Sequence, residues 1–213
     1  MFKIEKAFIL SIVLIATISL IGWGFDLLII TRISNAFIPM APLSSILFIF
    51  CGVAYWFSLK ETKKPIHQIT GKTLIFIALF ILSLELLGGI SNFDLEKIFV
   101  SNPSFFINVP IARISPFTVV FFYIVCFSYL LLSKIHVEIY RKTYAILTLI
   151  LLLFSSIFLI GYVENLPLAY NSEMIPMALL TSLSFWILSL LKTLFWPDYV
   201  HFVGIRSVPM GLT

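Results

Sequence analysis

Charge is scarce in this sequence. Only 11% of its 213 residues are Asp, Glu, Lys or Arg, and 61% are hydrophobic, whereas a soluble domain carries about 25% charged residues. That shortage excludes a soluble enzyme, a soluble nucleic-acid-binding domain and a disordered chain, since each needs more polar surface than this sequence has. Cysteine is nearly absent, with two residues, Cys51 and Cys126. Both fall inside apolar runs, where thiols behave as small buried apolar groups, and no disulfide framework is implied. The three histidines, His67, His136 and His201, lie in or near polar turns, so no apolar run offers ligands for a haem. Clustered Cys, His and carboxylate ligands for zinc are missing, as is any arrangement of a nucleophile beside a base. The reading is therefore no catalytic residue, no metal and no cofactor, with bound lipid as the one small molecule expected. Ten-residue alternation of apolar and polar residues is also missing, which argues against a membrane β-barrel.

What is present is apolar length. A bilayer core of about 30 Å needs roughly 20 apolar residues in a helix. Six segments approach that length: residues 7–24, 43–59, 73–88, 117–133, 144–161 and 177–195. The expected fold is an all-α integral membrane protein of six transmembrane helices. The first segment follows Lys3 and Lys6, as a signal peptide would. Its run is too long for a signal h-region, and no small-residue cleavage site follows, so it reads as a retained helix. Lys and Arg concentrate on the cytoplasmic side of membrane proteins. With the N-terminus inside, only Arg32, Lys97 and Arg113 of the 14 basic residues fall outside; the other 11, Lys192 among them, fall inside. Both termini are then cytoplasmic. The net charge of +4 is accounted for by topology and anionic lipid and requires no nucleic acid.

An internal repeat is visible. Ile38-Pro39-Met40-Ala41-Pro42-Leu43-Ser44-Ser45-Ile46-Leu47-Phe48 opens the second segment, and Ile175-Pro176-Met177-Ala178-Leu179-Leu180-Thr181-Ser182-Leu183-Ser184-Phe185 opens the sixth; seven of the eleven positions are identical. A weaker copy, residues 112–122, opens the fourth with Pro116, Thr118 and Phe122. At the ends of the odd segments, Gly24-Phe25-Asp26-Leu27 is echoed by Asn92-Phe93-Asp94-Leu95. The chain thus reads as three tandem parallel hairpins, about 7–60, 73–134 and 144–195. They form a six-helix membrane domain over 1–197, with a cytoplasmic tail or connector over 198–213. Pro42, Pro116 and Pro176 form a helix-start motif, because proline suits the first turn. Ser44, Ser115 and Thr118 are placed to cap the freed N–H groups.

On these residues the chain resembles the multi-span N-terminal sensory region of bacterial PAS-containing sensor histidine kinases and diguanylate cyclases. There a returning helix opens with Met-Ala/Ser-Pro and a Phe further on. The matching stretches are Met40-Ala41-Pro42 through Phe48, Arg113-Ile114-Ser115-Pro116 through Phe122, and Met177-Ala178 through Phe185. The likeness covers about residues 7–197. It implies a sensory module in a bacterial inner membrane. No Gly-rich ATP-binding motif follows within the 213 residues, so the output modules of that family are not expected in this chain.

Candidate sites are few. Glu85 is the one carboxylate inside an expected span; it suits either a ligand or proton role or a structural hydrogen bond near the outer end. Asp26 and Asp94, with Arg32 and Arg113 as counter-charges, either ring an outer pocket or mark the interface. Trp23, Tyr162 and Tyr170 fall at the same level and suit an aromatic belt. Ser83, Ser128, Thr148, Ser155, Ser156, Ser184 and Ser189 read as packing residues. Phe99, Phe105 and Phe106, in the long segment 91–115, read as lying on the membrane, covering the hairpins or touching a partner. The function expected is a non-catalytic sensory or regulatory module coupling an outer-leaflet or membrane signal to a cytoplasmic output protein. The alternative is a structural accessory subunit of a larger membrane complex, respiratory or photosynthetic; a small transporter ranks below both, because the segments are smoothly apolar. Expected partners are membrane lipid, other membrane subunits or an output protein, and further copies in an oligomer.

Overall fold

The computed structural model describes residues 2–34, 37–58, 65–91, 105–106, 109–110, 112–164 and 175–194. The helices are α1 (Phe2–Gly24), α2 (Leu28–Arg32), α3 (Pro42–Ser58), α4 (Pro65–Ser91), α5 (Pro116–Leu131), α6 (Glu138–Val163) and α7 (Leu179–Leu194). A 3-10 turn, Leu132–Lys134, extends α5. Two two-residue strands, Phe105–Phe106 and Val109–Pro110, pair antiparallel, with Phe105 opposite Pro110. The tail 198–213 lies outside the described residues.

Four helical stretches are long and apolar enough to cross a membrane: Ile4–Gly24, Ile66–Gly88, Pro116–Lys134 and Glu138–Val163. The helical fold with four such stretches is compatible with a helical membrane protein. Helices α3 and α7 are apolar but shorter, with 17 and 16 residues. At 1.5 Å per residue they are about 25 Å long.

Neighbouring helices pack in a closed ring: α1 on α3, α3 on α4, α4 on α5, α5 on α6, α6 on α7, and α7 back on α1. The pairing directions follow from side-chain contacts. Lys6 lies over the Trp56 ring while Trp23 reaches Met40, so α1 and α3 run antiparallel. Ser83 meets Tyr123 between α4 and α5, and Trp186 donates to Ser156 between α7 and α6.

Burial divides the ring into two classes. In α3, 10 of 17 residues are buried; in α5, 8 of 16; in α7, 9 of 16; in α6 only 7 of 26. The buried residues of α1 (Ile9, Ile12, Ala16, Ser19), α4 (Ile75, Ala78, Leu82) and α6 (Thr148, Leu151, Ser155, Phe158) recur every three or four positions. That spacing is one stripe of a helix. Their other faces expose Leu10, Leu14, Phe76, Phe80, Leu153 and Ile157. Helices α3, α5 and α7 thus form an inner trio, and α1, α4 and α6 stand outside it.

The inner trio meets on three phenylalanines. Phe48 lies 4.7 Å from Phe122 and 4.7 Å from Phe185, and Phe122 lies 4.8 Å from Phe185, centroid to centroid, all tilted or edge-on. All three are fully buried. These are the residues that close the three copies of the sequence repeat. Tilted aromatic pairs at this distance are favoured by the ring quadrupole. Association inside a bilayer depends on such packing, because lipid tails leave no hydrophobic drive between helices.

The repeat also shapes how each inner helix begins. Ahead of α3 and α7, Ile38, Pro39, Met40 and Ala41 and Pro176, Met177 and Ala178 are buried and non-helical; ahead of α5, Ala112, Ile114 and Ser115 are buried. Irregular backbone is tolerated at such depth only when buried in protein with its polar groups paired. The carbonyl of Met40 accepts from the Trp23 indole (2.7 Å), and that of Met177 accepts from the Tyr162 hydroxyl (2.5 Å). These two aromatics therefore clasp equivalent carbonyls of the repeat; Tyr170 lies outside the described residues.

Two further corrections concern the helix starts. Pro42 and Pro116 are the first residues of α3 and α5. Pro176 is not: α7 begins at Leu179, and in the repeat Pro176 matches Pro39, inside the extended lead-in. Ser115 stands at the N-cap position of α5 but its side chain makes no capping bond. Proline at the next position has no N–H, so one donor fewer remains for a cap to satisfy.

Candidate functional site

Two helical turns beyond the phenylalanine triangle, the same three helices carry Tyr55, Tyr129 and Lys192. Each lies seven residues after its triangle phenylalanine. Because both levels meet at the same offset, α3, α5 and α7 run parallel and in register, with the levels about 10 Å apart by helical rise.

This second level is polar and closed to solvent. Lys192 is 1% exposed. Its Nζ donates to the Ser128 hydroxyl at 2.6 Å and lies 4.9 Å from the Tyr55 ring centroid. The Tyr55 hydroxyl sits 3.3 Å from Ser128 Oγ and 3.4 Å from the Val125 carbonyl. Ser128 donates its own proton to Val125 at 2.8 Å, leaving its lone pairs for the lysine. The Tyr55 and Tyr129 rings meet edge-on at 5.1 Å. Gly71 of α4 admits this arrangement, since a Cβ there would strike the Tyr129 hydroxyl and press on the Ala54 carbonyl at 3.3 Å. Cys51 and Cys126 lie in the turn between the two levels and are fully buried.

An ammonium held in an apolar bundle is costly unless its donors are satisfied. Here a hydroxyl and an aromatic face do that. Among the described residues no carboxylate contact pairs Lys192, whereas Lys142 and Glu138 form an ion pair 2.5 Å apart on the exposed start of α6. Lys192 therefore ties the last turn of α7 to both α3 and α5.

Lys192, counted among the charges on the inside, turns its side chain into the bundle. The packing assignment of Ser128 is incomplete: its hydroxyl is the acceptor for that lysine. Ser156 accepts from Trp186 at 3.1 Å, while Ser83, Thr148, Ser155, Ser184 and Ser189 return bonds to carbonyls of their own helices.

The expected site residues do not gather here. Glu85 is half-buried on α4. Asp26 is exposed in a left-handed turn (φ 54°), a conformation Asp tolerates, and leads into α2. Arg32 ends α2 and is half-buried, and Arg113 is exposed before α5. Asp94 and Phe99 lie outside the described residues. Helix α2 was not expected; Gly22 makes room for it, since a Cβ there would lie 2.7 Å from Thr31 Cγ2.

Sequence reasoning missed Tyr55, Ser128, Tyr129 and Lys192. The signal was present: carrying the repeat register seven residues past each phenylalanine reaches Tyr55, Tyr129 and Lys192. Comparison with known proteins adds nothing to the site, for no protein-family model, curated protein or solved structure matches the chain.

Proposed function

We propose that this chain is a non-catalytic sensory or regulatory module, with six membrane passes arranged as three hairpins and both termini in the cytoplasm of a bacterial cell. The observation that carries this reading is the Lys192 attachment. In the last turn of α7 one buried lysine fastens that helix to Ser128 and Tyr55. Segment 195–213 continues from that turn.

A signal at the outer side would act on the lead-ins, whose Met40 and Met177 carbonyls accept hydrogen bonds from Trp23 and Tyr162. Displacing a lead-in shifts its inner helix against the phenylalanine triangle. The shift reaches the lysine level two turns away, where making or releasing one polar contact changes how α7 leaves the bundle. A two-state element of this kind is what coupling between separated sites requires. The resemblance to sensor-kinase and cyclase membrane regions supports the same direction of coupling.

Purification from native membranes tests the reading. A histidine kinase or diguanylate cyclase co-purifying with the chain supports it, with Lys192→Met changing the partner's output while assembly is retained. Stable co-migration with a respiratory or photosynthetic complex would replace it with the accessory-subunit reading. Cysteine accessibility mapping tests the passes: residues 61–64 and 135–137 should label from the cytoplasm, and Asp26 and Arg113 positions from outside.

A further inference from the structure

We propose that helix α2 and its flanking turns form a docking surface for outer-leaflet lipid, and that lipid seated there loads the lead-in of α3. The inference deepens the sensory reading and rests on its outer-side orientation.

The surface is apolar and open. Phe25, Leu27, Ile29, Ile30 and Ile33 are all exposed, Phe25 by 73%. From Phe25 to Ile33 the charged residues are Asp26 and Arg32, near opposite ends of the run. Exposed apolar patches mark interaction sites, membranes among them. Continuity selects lipid as the occupant. On α1, Leu10, Leu14, Ile18 and Ile21 are exposed at steps of three or four residues, which is one stripe of the helix. Phe25, whose N–H bonds the Ile21 carbonyl at 3.1 Å, extends that stripe to the start of α2. The 23 residues of α1 span about 35 Å, slightly more than a hydrocarbon core of about 30 Å. The helix therefore ends at the headgroup boundary, the depth at which interfacial helices bury an apolar face.

The corner is also tied to the core. Among the described residues, Asp26 and Ile33 are the non-glycine residues with positive φ, 54° and 63°, and they flank α2. Asp tolerates that region, whereas β-branched Ile33 is an outlier in it. Such strain persists only where the surroundings over-determine the backbone. Here the Ile33 N–H bonds the Ile29 carbonyl at 3.2 Å and the Ser34 N–H bonds the Arg32 carbonyl at 2.6 Å. Thr31 is the buried residue of α2, and its carbonyl accepts from the Met40 N–H at 2.9 Å. The Met40 carbonyl accepts from the Trp23 indole at 2.7 Å. Both backbone groups of Met40 are thus fastened, one to α2 and one to α1, eight residues ahead of Phe48. A leaflet that draws α2 outward or lets it sink pulls on Met40 through Thr31.

The test uses the full chain reconstituted in phosphatidylcholine vesicles and spin-labelled at Phe25→Cys or Ile29→Cys. The unsubstituted chain, whose Cys51 and Cys126 are buried, supplies the background. Both labels should collide more with oxygen than with a water-soluble nickel complex, as a label at Leu14→Cys on α1 does, and unlike a nitroxide free in water. Labels that behave as the free nitroxide overturn the proposal. So do labels shielded from both reagents, which would show α2 covered by another segment of this chain or by a second copy. Hydrogen exchange reads the coupling. Ile29→Asp combined with Ile30→Asp, both at exposed positions, should speed exchange of the Met40 amide about tenfold, the factor expected for one lost hydrogen bond, with the amides of α5 unchanged. An unchanged Met40 rate overturns the coupling. Failure of a kinase or cyclase to co-purify would strike the sensory reading and leave the label depths as they are.

Discussion

The inner and outer helices draw on the same apolar alphabet and end in different environments. Outer helices α1, α4 and α6 have 23, 27 and 26 residues; inner helices α3, α5 and α7 have 17, 16 and 16. The outer ones bury one stripe and leave the rest exposed. The inner ones give up length to an extended, buried lead-in and bury most of their circumference. The difference teaches where specificity resides. An outer helix needs only an apolar surface, whereas each inner helix must present a particular residue at each level.

The sharpest way to break that comparison is to remove one corner of the triangle. Phe48→Ala or Phe185→Ala should destabilise by about 3–5 kcal/mol through lost packing and a cavity. Phe80→Ala on α4, where the side chain is 63% exposed, should change stability by less than about 0.5 kcal/mol. Thermal unfolding in detergent measures both, and similar shifts would erase the distinction between the two classes.

A smaller effect is expected where an outer helix approaches an inner one. A Cβ at Gly52 would lie 2.5 Å from Val13 Cγ2, so Gly52→Val should cost about 1–3 kcal/mol by overpacking. Gly24→Ala, with nothing within 4 Å of the new Cβ, is the matched control and should leave the melting curve in place.

The lysine level separates its two partners by sign. Ser128→Ala strips the ammonium of its acceptor and should lower stability by about 1–3 kcal/mol. Lys192→Met removes the buried charge with little change of volume and should melt at or above wild type. If both variants melt lower by the same amount, Lys192 contributes as packing rather than as a held charge. The smallest expected effect is at the lead-ins. Trp23→Phe and Tyr162→Phe each lose one bond to a carbonyl, worth about 1 kcal/mol, and equal losses from the two would sharpen the equivalence of the first and third units.

Much of this architecture was legible in the sequence, and the reasons differ by residue. Helices stand at all six expected segments because apolar length in a charge-poor chain leaves little else to form. The recurrence of Ile-Pro-Met-Ala at fixed spacing from Phe48 and Phe185 pointed to the lead-ins, although their extended backbone put Pro176 ahead of its helix. What a linear reading could not supply was the meeting of three distant segments. Charge counting says only on which side Lys192 falls; its register with Tyr55 and Tyr129 is what turns it inward. Asp26 and Arg32 were visible as charges, but the intervening helix α2 depends on the space above Gly22.

The phenylalanine triangle has a consequence for biogenesis. Its corners belong to segments made far apart in time, and the first two rings face an unfilled position until α7 is inserted. Contacts so distant along the chain form slowly and leave partly assembled states exposed. Insertion of the individual helices and closure of the core are thus separate events, and the second waits on the helix that also delivers Lys192.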